Sequence, residues 1–305
     1  MTATAISFES GEANLDWLDL CDAIEAGHKL PKAEIGDTFL YRGPDTMLSR
    51  SAWIDGLGLA VKTATVYPGN PSCGKPLIHG SVSVFSDADG TLDATIDFHL
   101  VTKWKTAGDS LLAARKLARA DSRGILIVGA GTVGRSLYEA YSSAFPDAEF
   151  TVWNRTRSNA KAMAALCPGL RIADDLETAV KKADIITSAT MSTEPLIRGE
   201  WLQPGQHIDL IGAYRPDMRE ADDEALLRSR IFVDSIDTTA GHIGEIKAPL
   251  SRGTITREDL IADHYSPRDF LRLGDDDITL FKNGGGAHLD LMASRYILDT
   301  YRASQ

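Results

Sequence analysis

The sequence predicts an α/β protein built around a doubly wound parallel sheet. Between residues 125 and 235, strands alternate with helices roughly every 20–30 residues, which is typical of such sheets. The first strand, Ile125–Val128, is wholly apolar, as expected of a strand that is buried on both faces. A glycine motif follows it directly. At 305 residues, the chain is long enough for about two domains.

Turn sequences separate short strands over residues 1–100 and predict a second, mainly antiparallel sheet. The predicted strands are Thr38–Tyr41, Gly58–Val66, Ser81–Phe85 and Ala94–Leu100. From Thr102 to Ala120 the apolar spacing becomes helical, with Thr102 as the candidate N-cap.

The sequence predicts the following helices and strands around the parallel sheet, given in chain order. They are a helix over Val133–Phe145, a strand over Glu149–Trp153, a helix over Ser158–Cys167, a strand over Leu170–Ile172, a helix over Leu176–Lys182, and strands over Asp184–Thr187, His207–Ile211 and Ile231–Val233. After residue 250 the pattern indicates only charged helical pieces, until a last helix over Gly286–Arg302.

Composition excludes several classes of function. The formal net charge of −11 disfavours binding to nucleic-acid phosphates. No apolar run approaches the roughly 18 residues of a membrane span, and the acidic N-terminus lacks the pattern of a signal peptide. Cys21, Cys73 and Cys167 are widely spaced, which predicts a reducing, cytoplasmic location rather than a disulfide framework. No histidine spacing indicates a metal site.

A G-x-G-x-x-G motif links the first apolar strand to the following helix: Gly129-Ala130-Gly131-Thr132-Val133-Gly134. Gly129 permits the tight turn, Gly131 lets the backbone approach a pyrophosphate, and Gly134 allows the helix to pack closely on the strand. The N–H groups at the helix N-terminus would bind that pyrophosphate. The motif therefore predicts a dinucleotide site, with a purely structural glycine turn as the alternative.

The end of the second parallel strand indicates which dinucleotide binds. NAD sites usually carry an acid there, about 20 residues past the motif, on the ribose hydroxyls. Here the residues are the neutral Asn154 and then Arg155, Thr156 and Arg157. Because the two arginines could pair with a 2′-phosphate, the sequence favours NADPH, with NADH as a second option. The alternative is that these arginines form a solvated turn.

Further motifs resemble those of the ornithine cyclodeaminase/mu-crystallin family. They are Val61–Thr63, Leu100–Ala107, Trp153–Thr156, Ser188–Thr190, Glu194-Pro195, Trp201–Ile208, Gly212–Glu220 and Ile278–Lys282. The resemblance implies a homodimer. It also implies a Rossmann-type domain over residues 116–286, inserted into a smaller α+β domain for substrate binding and dimerisation that comprises residues 1–115 and 287–305.

Departures from the family pattern bear on the reaction. The ornithine-cyclising members have an aspartate at the position of Tyr214, and a tyrosine hydroxyl stays protonated at neutral pH. Lys105 replaces the family's carboxylate-binding arginine and loses its bidentate fork. Residues 50–53 and 101–110 are similar to members that reduce cyclic imino acids. The resemblance therefore implies NAD(P)H-dependent reduction of 1-pyrroline-2-carboxylate, or its six-membered homologue, to L-proline or L-pipecolate.

Arg50, Lys62 and Lys105, with Gly285, are the candidate substrate-binding residues. Lys62 lies in an otherwise apolar strand, where an unpaired ammonium would be costly. Lys62 is also the candidate catalytic residue, as a proton donor; the alternatives are an imine that binds already protonated, or water as the donor. Lys105 would lie in the first turn after Thr102, where the helix N-terminus adds to its charge. The alternatives are an edge lysine facing water for Lys62, a structural ion pair for Arg50 and a solvated helix residue for Lys105.

Loops at the carboxyl ends of the parallel strands are the candidates for the nicotinamide end of the cofactor. The residues are Ser188, Ala189, Thr190, Met191, Gly212 and Tyr214, with Lys282 from the C-terminal region. Three other functions stay open: a lyase of the same family (ornithine cyclodeaminase or 3-hydroxyproline dehydratase), an amino-acid dehydrogenase that uses a keto acid and ammonia, and a cofactor-binding protein without catalysis.

Overall fold

The computed structural model describes residues 3–305. The chain divides into two compact units, one made of residues up to 105 together with 285–305, the other of residues 106–284. The family resemblance implies boundaries at 115/116 and 286/287 instead. The helix Phe98–Leu117 continues across the first division, so hydrophobic periodicity carries no signal for a boundary there.

The first unit contains the predicted, mainly antiparallel sheet. Its strands are β1 (Thr4–Ile6), β2 (Glu34–Arg42), β3 (Asp45–Ile54), β4 (Gly58–Val66), β5 (Ile78–Phe85) and β6 (Leu92–Asp97), in the order β1-β6-β5-β4-β3-β2. Only β1 and β6 are parallel among the described strand pairs of this sheet. The helices before and after these strands are α1 (Phe8–Glu12), α2 (Trp17–Gly27) and α3 (Phe98–Leu117).

The second unit contains a parallel sheet flanked by helices, which confirms the predicted doubly wound class. Its strands are β7 (Gly124–Val128), β8 (Glu149–Trp153), β9 (Arg171–Ile172), β10 (Ile185–Ser188), β11 (His207–Leu210), β12 (Arg230–Val233), β13 (Leu260–Asp263) and β14 (Thr279–Lys282), in the order β13-β12-β14-β11-β10-β7-β8-β9. Its helices are α4 (Thr132–Ala144), α5 (Arg157–Ala164), α6 (Leu176–Lys182), α7 (Asp223–Leu227), α8 (Ile236–Thr239) and α9 (Gly244–Arg252). The order reverses between β7 and β10, and open α/β sheets bind ligands at the carboxyl ends of strands beside such a point.

The predicted start of α3 is wrong. The Asp97 carboxylate accepts the N–H groups of His99 and Leu100 at 2.8 and 3.0 Å, so it satisfies the first turn of the helix. The strand predicted to reach Leu100 therefore ends at Asp97, and Thr102 lies inside α3 rather than at its cap. Lys105 is consequently well inside the helix, and the expected help from its N-terminus is absent.

The prediction of charged helical pieces after residue 250 is also wrong in part. This region supplies β13 and β14, and β14 is a fully buried strand between β11 and β12. A four-residue strand is too short to show an alternating pattern among its charged neighbours. The strand β3 is likewise missing from the sequence prediction.

The chain returns to the first unit in α10 (Ala287–Ala303), which confirms the predicted last helix. This helix packs on α2 and on β3 and β4 through a buried face that includes Leu289, Met292 and Ile297. In residues 3–305, no helix has the length and apolar character that crossing a membrane requires.

Candidate functional site

The glycine motif forms the turn between β7 and α4. Gly129 has φ +112°, and a Cβ at this position would lie 2.8 Å from the Ala189 carbonyl oxygen. At Gly134, a Cβ would lie 2.2 Å from the carbonyl oxygen of Gly129, so helix and strand are in close contact. Both glycines are required by the turn itself.

Gly131 differs from the other two glycines. It is the N-cap of α4 with an ordinary φ of −89°. Apart from its chain neighbours, no atom of residues 3–305 lies within 4 Å of the Cβ position. The fold would therefore accept a larger residue here. A glycine is explained by a group that approaches the backbone, as a pyrophosphate does at a helix N-terminus, which fits a dinucleotide.

Asn154 ties the glycine turn to the loop after β8. Its Oδ1 accepts the N–H of Ala130 at 3.1 Å, and its Nδ2 donates to the carbonyl of Thr156 at 2.9 Å. Arg155 is exposed on this loop and Arg157 is exposed at the start of α5, where it pairs with the carboxylate of Asp174. The structure therefore places one amide and two surface cations beside the end of β8, where NAD sites usually carry an acid.

Two loops follow β10 and β11 at the carboxyl edge of the parallel sheet. Ser188 ends β10, Thr190 belongs to the first loop and Gly212 to the second. The two backbones are in contact: a Cβ at Gly212 would lie 2.0 Å from the Thr190 carbonyl oxygen. The side chains of Met191 and Tyr214 are exposed on these loops. The structure thus brings together the residues that the sequence assigns to the nicotinamide end.

Lys282 contradicts its predicted place at the cofactor. It is fully buried, and its Nζ donates to the carbonyls of Leu210 and Asn283 at 2.9 and 2.8 Å. Burial lowers the pKa of this ammonium, and the nearby carboxylates, chiefly Glu220 and Glu245, oppose that shift. Lys282 therefore supplies positive charge beneath the loops and does not present it at the surface.

The candidate substrate residues lie in the first unit, on neighbouring strands. Arg50 on β3 stands directly opposite Lys62 on β4, and such residues share one face of a sheet. Lys62 is 7% exposed, on a strand between β3 and β5, so the edge-lysine alternative is wrong. Its Nζ lies 4.8 Å from the centroid of the Phe98 ring and 2.9 Å from Oδ1 of Asp290 on α10.

Lys105 and Gly285 complete this cluster. The Lys105 ammonium donates to the Gly285 carbonyl at 2.8 Å, and Nη1 of Arg50 donates to the same oxygen at 3.0 Å. Lys105 is 6% exposed, which contradicts the solvated alternative. The structural ion pair that was the alternative for Arg50 is present, because Nε and Nη2 of Arg50 each lie 3.1 Å from an oxygen of Asp37. Arg50 therefore contacts both Asp37, as an ion pair, and the Gly285 carbonyl of the cluster.

Asp290 is the site residue that the sequence prediction missed. Burial raises its pKa, but the charges of Lys62, Lys105 and Arg50 outweigh burial and hold the pKa below the ordinary value. An ionised carboxylate is therefore expected at the centre of the cluster. The available signal was an acid in the first turn of an otherwise apolar helix face, where a negative charge is favoured.

The cations of this cluster suit an anionic ligand. Arg50, Lys62 and Lys105 lie together with the carboxylates of Asp37 and Asp290. Each ammonium has three N–H donors; Lys62 donates to Asp290 and Lys105 to the Gly285 carbonyl. A carboxylate ligand would find both charge and donors here.

Comparison with known proteins identifies the family of this chain. The model of the ornithine cyclodeaminase/mu-crystallin family matches residues 50–305. A Delta(1)-pyrroline-2-carboxylate reductase of Paracoccus denitrificans is 48% identical over 300 residues, which cover 96% of this chain and 95% of that protein. The ketimine reductase mu-crystallin of Mus musculus is 34% identical over 248 residues, with 81% and 77% covered. A solved archaeal alanine dehydrogenase dimer with bound NAD has a TM-score of 0.91 at 26% identity, covering 100% of this chain and 97% of that one.

Proposed function

Because the chain belongs to the ornithine cyclodeaminase/mu-crystallin family, we propose that it reduces a cyclic ketimine carboxylate with a nicotinamide cofactor. The substrate is 1-pyrroline-2-carboxylate, or its six-membered homologue 1-piperideine-2-carboxylate, and the product is L-proline or L-pipecolate. The cluster of Arg50, Lys62 and Lys105 carries the proposal, because it brings three cations together on neighbouring elements, two of them buried ammoniums. The 48% identity to a reductase of this kind supports it.

The cluster binds the carboxylate of the substrate and orients its ring. Lys62 and Lys105 donate to the carboxylate, while the Gly285 carbonyl and Asp290 hold the two ammoniums in position. The reduced nicotinamide supplies a hydride for the imine carbon C2. The ring nitrogen must gain one proton in the same reaction, and Lys62 is the proposed donor because its ammonium belongs to the carboxylate-binding cluster.

The dinucleotide binds to the second unit. The glycine motif over Gly129–Gly134 receives the pyrophosphate, and the loops with Ser188–Met191, Gly212 and Tyr214 receive the nicotinamide end. Arg155 and Arg157 favour NADPH over NADH, because guanidinium groups pair well with a phosphate. The open space at Gly131 and the two exposed arginines support this assignment.

The chain forms a homodimer through the edge strand β2. This strand is exposed along its whole length and carries Phe39, Leu40 and Tyr41 with exposed apolar surface. An uncovered apolar edge strand is a site for pairing with another chain. The dimeric state of the archaeal alanine dehydrogenase supports a second copy of this chain as the partner. The wide spacing of the three cysteines supports the predicted cytoplasmic location.

One second candidate is an amino-acid dehydrogenase, because the archaeal relative with the same fold is an alanine dehydrogenase. The two functions differ in whether ammonia is a substrate. The test follows NADPH absorbance with 1-pyrroline-2-carboxylate, with 1-piperideine-2-carboxylate, and with pyruvate plus ammonia.

Stoichiometric oxidation of NADPH with the cyclic imines, and none with pyruvate plus ammonia, is the expected result. Oxidation only in the presence of ammonia would establish the dehydrogenase instead. Conversion of ornithine or 3-hydroxyproline without net NADPH consumption would establish the lyase. Binding of NADPH with no turnover in any of these assays would leave a cofactor-binding protein.

A further inference from the structure

Glu220 links the two loops at the carboxyl ends of β10 and β11. On the first loop, its Oε1 accepts Ser188 Oγ at 2.6 Å, the Thr190 N–H at 2.7 Å and Thr190 Oγ1 at 2.9 Å. On the second loop, its Oε2 accepts the N–H groups of Gly212 and Ala213 at 2.5 and 3.1 Å. One carboxylate thus receives hydrogen bonds from both loops.

The backbone of Glu220 is fixed independently of its side chain. The fully buried Glu245 accepts the N–H of Glu220 through Oε2 at 2.6 Å and the N–H of Ala221 through Oε1 at 3.1 Å. The buried ammonium of Lys282 supplies the positive charge that accompanies these acids. Glu220 therefore has a fixed backbone, and its side chain reaches two loops that lie in direct contact.

We propose that Glu220 is a positioning residue that holds the loops of Ser188–Thr190 and Gly212-Ala213 in the conformation that receives the nicotinamide end of the cofactor. The proposal rests on the proposed function, since both loops are assigned to the cofactor. Glu220 is fully buried, so it acts through the loop backbones. Its loss leaves the N–H groups of Thr190 and Ala213 without their acceptor, and leaves Gly212 only its longer hydrogen bond to the Ser188 carbonyl at 3.3 Å. Unsatisfied donors are costly in a buried setting.

Glu220→Gln is the test variant, because it keeps the shape of the side chain. An amide has one acceptor oxygen, so either the Thr190 N–H or the pair from Gly212 and Ala213 faces an NH2 group. The matched control is Asp209→Asn. Asp209 is an equally buried acid of the same parallel sheet, and its hydrogen bonds come from Ser110, Tyr141 and Thr187 rather than from the loops.

Two measurements separate positioning from general destabilisation. The first is hydrogen–deuterium exchange of the protein without cofactor, read at the amides of Thr190, Gly212 and Ala213. The second is the Kd for NADPH from the quenching of protein fluorescence, together with the KM for the cyclic imine. In Glu220→Gln we expect about tenfold faster exchange at these amides and an about tenfold higher Kd for NADPH. The KM of Glu220→Gln for the imine should stay within about twofold of the wild type. The Kd of Asp209→Asn for NADPH should also stay within about twofold of the wild type.

Wild-type exchange and Kd in Glu220→Gln would overturn the positioning role while leaving the proposed function intact. Failure of the wild type to bind any nicotinamide dinucleotide would overturn the proposed function itself, and the positioning role with it. If Glu220→Gln does not fold, Ser188→Ala replaces it. Removing that hydroxyl from one loop should then speed exchange at Ala213 on the other loop, and unchanged exchange there would contradict the proposal.

Discussion

Lys62 and Asp290 form a buried ion pair between a central strand of the first unit and the first turn of its last helix. The Nζ–Oδ1 distance is 2.9 Å, and the two side chains are 8% and 2% exposed. Each charge would be costly to bury without the other. The carboxylate therefore fixes the position of the lysine that we propose as the proton donor.

Removing the lysine should abolish imine reduction and also weaken the fold. We expect Lys62→Ala to lower kcat/KM for 1-pyrroline-2-carboxylate by at least about a hundredfold, the range of a lost general acid. Asp290 is then left buried without its main partner, which should lower the free energy of unfolding by about 3–5 kcal/mol. Steady-state kinetics and urea unfolding measure the two effects.

The double variant Lys62→Met/Asp290→Leu separates stability from catalysis. It removes both buried charges, so it should recover most of the lost stability and none of the activity. The matched control is Lys75→Ala, which removes an exposed lysine of the same unit and should leave both measurements unchanged. Recovery of activity in the double variant would contradict the role of Lys62.

Lys105 should determine affinity for the substrate rather than the rate of the chemical step. Lys105→Met removes a charged donor that holds the Gly285 carbonyl at 2.8 Å and faces the proposed carboxylate. A hydrogen bond to a charged group contributes about 1.5–3 kcal/mol, so the KM for the imine should rise about 10- to 100-fold. Lys105→Arg restores the charge and should recover part of this loss. Equal KM values for both variants would show that the charge at this position does not bind substrate.

The sequence predicted the second unit better than the first because its signals are local. The apolar strand Ile125–Val128 and the glycines beside it are defined by neighbours in the chain, and the structure places both as expected. In contrast, Asp290 meets Lys62 across 228 positions of sequence. No spacing in the chain could predict that contact, because it depends on how α10 packs on β3 and β4.

The errors in the sequence prediction have one local cause and two long-range causes. Thr102 is a good N-cap residue by type, but Asp97 lies earlier, and its carboxylate caps the first turn. Lys282 was assigned to the cofactor as part of the C-terminal region, and only the structure shows that its side chain is directed into a buried cluster of carboxylates. Glu220 lies within a recognised motif, yet its two loops become neighbours only when β10 pairs with β11.

The arginines after β8 should set the preference between the two nicotinamide cofactors. Arg155→Ala should raise the KM for NADPH about tenfold and leave the KM for NADH unchanged, since only NADPH carries the 2′-phosphate. Asp174→Asn should have the opposite effect, because it releases Arg157 from its carboxylate partner. Arg171→Ala is the control, an exposed arginine of the same unit paired with Glu149. Parallel changes with both cofactors would contradict the assignment.

Charge on the edge strand should convert the proposed dimer to monomers. Leu40 on β2 is 59% exposed, so Leu40→Glu costs the isolated chain little but would bury an unpaired charge in an interface. Sedimentation equilibrium should show a dimer for the wild type and a monomer for the variant. Leu166→Glu, at a 66% exposed position of the second unit, should remain dimeric. A wild-type protein that sediments as a monomer would contradict the dimer proposal.

Asp209 should make the protein less stable as pH rises, which is the opposite of what an ion-paired aspartate does. Burial raises its pKa to about 7, and the hydrogen bonds from Thr187, Tyr141 and Ser110 offset only part of that shift. Between the unfolded value of 3.8 and about 7, the folded state therefore holds a proton that the unfolded state has lost. Because the folded state binds more protons, this group's contribution to stability falls as pH rises through that range and is constant above it.

Urea unfolding of the wild type and Asp209→Asn at several pH values between 4 and about 8 isolates this contribution, since other titrating groups cancel in the difference. The free energy of unfolding of the wild type, relative to the variant, should decrease from pH 4 to about 7 and then level off. Asp147→Asn, at a side chain that is 78% exposed, is the control for the loss of one carboxyl group. A difference for Asp209→Asn that stays constant with pH would mean that this buried carboxyl is ionised in the folded protein throughout, held by its three hydroxyl donors.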